Sequence, residues 1–264
     1  MLFDHWRNGD FSYDIPLRPG VYELHLYFVS TEPASNGAST FSVRINGQPA
    51  LSGFDVYSDA MGANIADERV FRDVSPSSDG MLHLNFDSER GTALLNALEI
   101  LPGTPHRQLP IRITMQPEAY TDHSGQFWHP DTYFLSGYAS TKREQVAGTP
   151  DPDIFASERY GNFTYAIPVD PRDRYTLILH FVEFYFGPTA SGTGGAGSRI
   201  FRVLCNGNTL LDNFDIYKEA GGLHALTKTF YHLQPTAQGK LNITFEPIVN
   251  NATVSGIEIL DEAH

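Results

Sequence analysis

Residues 163–181 read FTYAIPVDPRDRYTLILHF, and residues 11–28 read FSYDIPLRPGVYELHLYF. The two stretches align at an offset of 152 residues at Phe11 and Phe163, which becomes 153 at Phe28 and Phe181 after one inserted residue. Tyr175, Leu177, Leu179 and Phe181 occupy alternate positions, as do Tyr22, Leu24, Leu26 and Phe28, the period of a strand with one face on a core. The match continues outward: FSVRINGQPALSGFDVY (41–57) answers FRVLCNGNTLLDNFDIY (201–217), and DGMLHLNF with ALEIL (79–101) answers QGKLNITF with GIEIL (238–260). Internal similarity of this kind decides the domain count, so two copies of one domain fill the chain. Asn46-Gly47 and Asn206-Gly207 each separate two strand-like runs and read as two-residue hairpin turns, since such turns need positive φ at both central positions. Short helical stretches are expected only around Ser58 to Asp67 and Lys218 to Thr227. Each copy is therefore expected to be an antiparallel sandwich in an all-β chain.

Composition supports this class and removes others. The 264 residues include 13 Tyr and 18 Phe, together 31, beside only 2 Trp and 4 Met, with 23 Gly and 17 Pro, a mixture suited to strands and tight turns. A net charge of −13 repels phosphate backbones and anionic lipid, so neither nucleic acid nor a membrane surface is an expected partner. No window approaches the ~20 apolar residues of a spanning helix, so no membrane insertion is expected in this chain. Cys205, the one cysteine, excludes an intrachain disulfide framework and reads as a buried thiol in the run Phe201 to Cys205. The opening MLFDHWRNGD lacks the pattern of a signal peptide and reads as the interior of a folded region. Residues 1–103 make the first domain, 104–110 a Pro-rich linker and 111–264 the second. The second has about 45 residues ahead of Phe155, including GQFWHPDTYFLSGYAS (125–140), that the first lacks ahead of Phe3. The first domain is thus read as lacking its N-terminal segment, and the chain as a fragment, because an uncovered sheet edge invites aggregation.

Motifs for chemistry are sparse. The chain has no G-x-S-x-G, H-E-x-x-H or P-loop, and the Gly-rich stretch 187–199 lacks the Gly-Lys-Ser/Thr ending that holds phosphate. Its scattered histidines suggest no metal site, and no cofactor is expected. Glu183, Asp215 and Glu246 are the carboxylates that could form a glycosidase pair. Asp215 recurs as Asp55 and Glu246 as Asp87, a repetition that points to maintenance of the fold. Tyr185 and Phe186, adjacent at a strand exit, cannot both face the core, since neighbours alternate in direction. An exposed ring with hydrogen-bonding groups nearby suits the C–H face and hydroxyls of a neutral sugar. Burial of both rings under a neighbouring loop is the alternative that these residues leave open.

The runs FTYAIPVDPRDRYTLILHFVEFYF, FRVLCNGNTLLDNFDIYKEAGG and NNATVSGIEIL resemble the malectin domain family, and GQFWHPDTYFLSGYAS resembles the opening of bacterial malectin-domain proteins. The resemblance implies two tandem jelly-roll-like β-sandwiches and non-catalytic binding of a glucan or other glucose-containing oligosaccharide, with no metal. Carried over residue by residue, it places sugar contacts at Tyr138, Tyr160, Tyr185, Phe186 and Asn250, the last standing where the family has aspartate. In the first copy the counterparts are Asn8, Glu32, Pro33 and Gly91, none of which offers a stacking face, and the Tyr138 region has none. Trp6 and His5 match Glu158 and Ser157 and are not substitutes. One sugar site per chain, in the second domain, is therefore expected. The alternatives are a protein-interaction or adhesion module with a protein partner, and an accessory domain of a larger glycan-active or sensor protein. Sequons at Asn162, Asn242 and Asn251 matter only in a eukaryotic secretory pathway. Sugar polymers lie mostly outside the cytoplasm, so an extracytoplasmic location is expected.

Overall fold

The computed structural model describes residues 2–31, 37–142, 144–187 and 192–262. It divides into two units, Met1–Leu109 with Pro168–Asp170, and Pro110–Ile167 with Pro171–His264. Among the described residues the pairings between named strands are antiparallel, as the sandwich reading expects.

In the first unit, Phe11–Pro16, Met81–Arg90, Thr40–Ile45 and Gln48–Phe54 form one sheet in that order, and Ala66–Val74, Tyr22–Val29 and Ala97–Pro102 form another. Leu24, Leu26 and Phe28 from the second sheet pack in one buried cluster with Phe41, Val43, Leu82, Leu84 and Phe86 from the first. That is a sandwich core, with alternate residues of each strand turned inward. The second unit repeats it with Phe163–Pro168, Lys240–Val249, Ile200–Cys205 and Asn208–Phe214 in one sheet, and Tyr175–Phe181 between Gly256–Asp261 and Leu226–Leu233 in the other. The aromatic contacts repeat ring for ring. Phe28 lies 5.1 Å from Phe54, and Phe181 lies 5.0 Å from Phe214. Phe11 stacks on Phe86 at 4.5 Å, and Phe163 on Phe245 at 4.6 Å. Burying each such side chain stabilises its unit by roughly 1.5–3 kcal/mol, which explains why these rings persist in both copies.

The Asn-Gly turns form as expected, with φ of 49° and 77° at Asn46 and Gly47 and 48° and 79° at Asn206 and Gly207. The helices differ from expectation. They are single turns at Val56–Asp59 and Ile216–Ala220, earlier and shorter than the stretches read from sequence, and strands have already begun at Ala66 and Leu226. Asp55 and Asp215 set the start by accepting from the amides of Tyr57 and Lys218. Each also accepts an amide from the loop that leads into Thr40–Ile45 or Ile200–Cys205, that of Gly37 or Gly197. These repeated aspartates thus pin a loop to a helix start in both units.

The 111–141 segment of the second unit adds edge strands. Ile111–Thr114 pairs with Gly256–Asp261, Phe134–Leu135 with Phe163–Pro168, and Tyr138–Thr141 with Ser157–Gly161. Its anchors are polar and buried. Trp128 donates its indole N–H to Asp122 at 3.0 Å, and Asp131 accepts from the Tyr165 hydroxyl at 2.7 Å and from Arg159 at 2.6 Å. At Gly137, with φ of +77°, an added Cβ would lie 2.9 Å from the Phe163 Cβ, so only glycine lets this segment lie flat against the sheet.

One buried polar cluster escapes the alternation pattern. In the first unit Glu23 is 1% exposed, and His25 sits between it and Glu68 at 2.8 and 2.6 Å. Burial opposes protonation of His25, but the hydrogen bonds and charges of Glu23 and Glu68 outweigh it and raise the pKa from 6.5 to about 9. This stabilisation is fully present below about pH 6.5 and is lost as pH rises through 9. Urea unfolding of the chain is expected to show on the order of 2–3 kcal/mol less stability at pH 9.5 than at pH 6 from this group, a difference that His25→Gln removes.

Candidate functional site

Strand Tyr175–Phe181 runs directly into Val182-Glu183-Phe184-Tyr185-Phe186. Phe184 turns inward and is 2% exposed, whereas Tyr185 turns out and is 50% exposed. Phe186 is half-buried, its ring meeting that of Tyr185 edge to face at 4.9 Å. What holds this turn is Glu183, whose side chain is wholly buried. Its Oε1 accepts from the backbone N–H groups of Tyr185 at 2.9 Å and Phe186 at 3.1 Å. Arg199 neutralises the same carboxylate through Nε and Nη2 at 2.6 and 3.2 Å and donates through Nη1 to the Asn251 carbonyl at 2.7 Å. The guanidinium also lies 5.5 Å from the centre of the Phe186 ring. Gly192 donates its backbone N–H to the Tyr185 carbonyl at 2.6 Å, and an added Cβ there would lie 2.5 Å from the Tyr185 ring. The aromatic pair is therefore clamped from below by a buried ion pair and from the side by a glycine.

A second wall is a three-stranded sheet of Tyr138–Thr141, Ser157–Gly161 and Ala252–Val254. Its register pairs Tyr138 with Tyr160, Ser140 with Glu158, and Tyr160 with Thr253. Alternation then puts Tyr138, Ser140, Glu158, Tyr160 and Thr253 on one face. Between the two walls lies a cleft of about 380 Å³, lined by Tyr160, Tyr185, Phe186 and Asn250 among the expected residues, and by Ser140, Lys142, Glu158, Arg199 and Asn251. Tyr138 does not line it. It is 69% exposed at the rim, its ring 5.7 Å from that of Tyr160. Asn250 has φ of +55°, a left-handed conformation that asparagine adopts readily, and its counterpart Gly91 has φ of +63°. The Asn250 amide donates to the Ser198 carbonyl at 2.7 Å, leaving its own carbonyl oxygen for another partner.

Sequence reasoning missed Lys142, Glu158 and Arg199. The signal for Glu158 was its place two residues before Tyr160, on the same face of a strand. Lys142 and Arg199 become visible only through pairing. Glu183, named as a candidate acid, is instead the buried clamp. The three carboxylates have separate duties: Asp215 caps a helix, and Glu246 lies 3.8 Å from Arg202 on the surface. Cys205 is buried, and burial pushes its thiol pKa up to about 12. A hydrogen-bonded run from the Ser124 hydroxyl to His123 (3.3 Å) and on to Asp151 has the order of nucleophile, base and orienter. The amides beside it, of Ser124, Gly125 and Gln126, are all donated to Asp122, so none remains to stabilise an oxyanion. Among the described residues no group of three His, Cys, Asp or Glu could hold a metal ion.

The first unit carries the strands without the site. Arg7–Asn8 pairs with Leu94–Leu95 in the register that Arg159 and Tyr160 share with Val254 and Thr253. Asn8 stands in the place of Tyr160, and Ser30 and Ser39 in those of Glu183 and Arg199. Glu32 and Pro33 lie outside the described residues.

The profile of the Malectin domain family matches residues 2–98 and 110–257. Malectin-A of Xenopus laevis is 32% identical over 73 residues, 27% of this chain and 24% of that protein. Receptor-like protein 4 of Arabidopsis thaliana is 30% identical over 110 residues, 41% of this chain and 16% of that protein. The chain thus spans less than a quarter of the length of either. The solved extracellular domain of ANXUR2 from Arabidopsis thaliana aligns with 97% of this chain and 82% of its own, at 19% identity and a TM-score of 0.49.

Removing one partner of the buried pair exposes its energetic role. Glu183→Ala leaves the Arg199 charge uncompensated and is expected to destabilise the second unit by about 3–5 kcal/mol in urea unfolding. Asp212→Ala, at an exposed pair with Arg202, is expected to change stability by no more than about 1 kcal/mol.

Proposed function

The chain belongs to the malectin domain family, and from that membership we propose that its second unit binds a neutral glucan or glucose-containing oligosaccharide in the cleft beside Tyr185 and Phe186. The observation that carries this reading is the exposed Tyr185 ring, held out of the core by hydrogen bonds from its own backbone and that of Phe186 to the buried Glu183. Replacing a buried ion pair by apolar residues is often neutral or stabilising, so its presence under an exposed ring supports a role for that ring. The cleft volume of about 380 Å³ falls in the range of small-ligand sites.

The charges in the cleft support an uncharged ligand. Lys142 pairs with Glu158 and Arg199 with Glu183, so each cation has its carboxylate. Tyr185 supplies a face for the sugar C–H groups, Tyr138 and Tyr160 flank it, and the Asn250 carbonyl accepts from a hydroxyl. Asparagine in place of the family's aspartate removes a charge-assisted bond, which favours modest affinity. The first unit is a structural partner in this reading. Residues 1–103 and 111–264 are taken as the two domains, the role as binding without catalysis, and the location as extracytoplasmic. No helix among the described residues is long and apolar enough to cross a membrane.

A glycan array followed by calorimetry tests the reading. Neutral gluco-oligosaccharides are expected to bind with affinity little changed between low and high salt, since no net charge is exchanged. Tyr185→Ala combined with Phe186→Ala is expected to weaken binding about ten-fold or more. Undiminished binding in that variant, or release of reducing ends from the oligosaccharide by this chain, contradicts the proposal.

A further inference from the structure

The cleft has a polar floor that neither the aromatic pair nor Asn250 explains. Lys142 continues the alternation of Tyr138 and Ser140 and reaches Glu158 with its ammonium at 2.8 Å. Its side chain is 19% exposed and that of Glu158 5%. The other Glu158 oxygen accepts from the Thr253 hydroxyl at 2.7 Å, and the Lys142 ammonium also lies 5.7 Å from the centre of the Phe184 ring. A lysine ammonium has three donors. One is spent on Glu158, and Lys142 is among the residues that line the cleft.

The first unit has no counterpart of the Lys142 segment. Where the strands keep the same register, Trp6 and Leu94 stand at the positions of Glu158 and Thr253. The sandwich therefore forms without this pair. Burying an ion pair costs desolvation that only good geometry offsets, and replacement by apolar residues is often neutral or stabilising. Among the described residues this pair lies in the lining of the second unit's cleft, which supports a role toward a ligand.

We propose that Lys142 is a specificity-determining residue of the cleft, donating hydrogen bonds to sugar hydroxyls, and that Glu158 is its positioning residue, fixing the ammonium and cancelling its charge so that neutral sugars are selected over acidic ones. The proposal rests on the sugar-binding reading above and adds the basis of its selectivity. Without Glu158 the ammonium would be an open site for a carboxylate. With it, a uronic acid meets an ammonium that is already paired and a second carboxylate close behind it.

The test uses the full chain in calorimetric titrations with an α-linked and a β-linked glucotetraose and with the same oligosaccharides ending in glucuronate. Wild type is expected to prefer the neutral form of whichever linkage it binds. Lys142→Gln is expected to lower neutral affinity about ten-fold. Glu158→Gln, similar in shape, is expected to shift the ratio of neutral to acidic affinity at least ten-fold toward the acidic sugar. A purely structural role would weaken both ligands alike and leave that ratio unchanged, which overturns the proposal. If Glu158→Gln does not fold, as read by circular dichroism, Lys142→Gln decides alone: retained neutral affinity overturns the proposal, and the ten-fold loss supports it. Binding that depends on Tyr185 and Phe186 but ignores both substitutions overturns this inference and spares the sugar site. Failure of wild type to bind any of these oligosaccharides overturns both.

Discussion

The Glu183 carboxylate, wholly cut off from water, organises the candidate site. An ionised carboxylate in that position is tolerable only if its charge is matched and its lone pairs are filled. Arg199 supplies the charge, and the amides of Tyr185 and Phe186 fill lone pairs. Meeting those demands dictates the path of the chain beyond the central strand, and hence which ring faces inward and which faces out. Arg199 in turn ties the turn to Asn251, next to Asn250 on the opposite side of the cleft.

Two copies of one fold in a single chain separate what folding needs from what binding needs. The phenylalanine contacts, the Asn-Gly turns and the capping aspartates Asp55 and Asp215 occur in both units, so they belong to the sandwich. The Glu183 and Arg199 pair, the Lys142 and Glu158 pair and the Tyr160 ring occur only in the second. The serines Ser30 and Ser39 at the positions of Glu183 and Arg199 show that the sandwich does not require buried charge at those points. The first unit keeps a different buried cluster, His25 with Glu23 and Glu68, whose effect is on stability against pH.

The parts of this fold that were legible in the sequence are those governed by local period and by repetition. Alternation at Tyr175 to Phe181 and the Asn-Gly pairs depend on neighbours along the chain, and the repeat exposed the same run of strand-like segments twice. The single-turn helices were misplaced because their start is decided by a side-chain cap at Asp55 and Asp215, and the reading began each helix three residues after that cap. Exposure of Tyr185 was half legible: alternation required one ring of the pair to face out but did not say which. Glu183 looked like a candidate acid because an acid in an apolar run carries no mark of its partner sixteen residues on. Lys142 and Glu158 meet only through the register of two strands whose intervening loop has no repeat to align. Tyr138 was reached through family resemblance, and its place at the rim depends on the close packing at Gly137.

The central claim is that sugar recognition resides in the aromatic cleft of the second unit. Its most direct test is an NMR titration of protein carrying ¹³C-labelled tyrosine and phenylalanine rings with a neutral gluco-oligosaccharide. Shifts are expected at Tyr160, Tyr185 and Phe186, smaller ones at Tyr138, and none at the core rings Phe28, Phe86, Phe181 and Phe245. Shifts confined to rings of the first unit, or none at saturating sugar, would contradict the account.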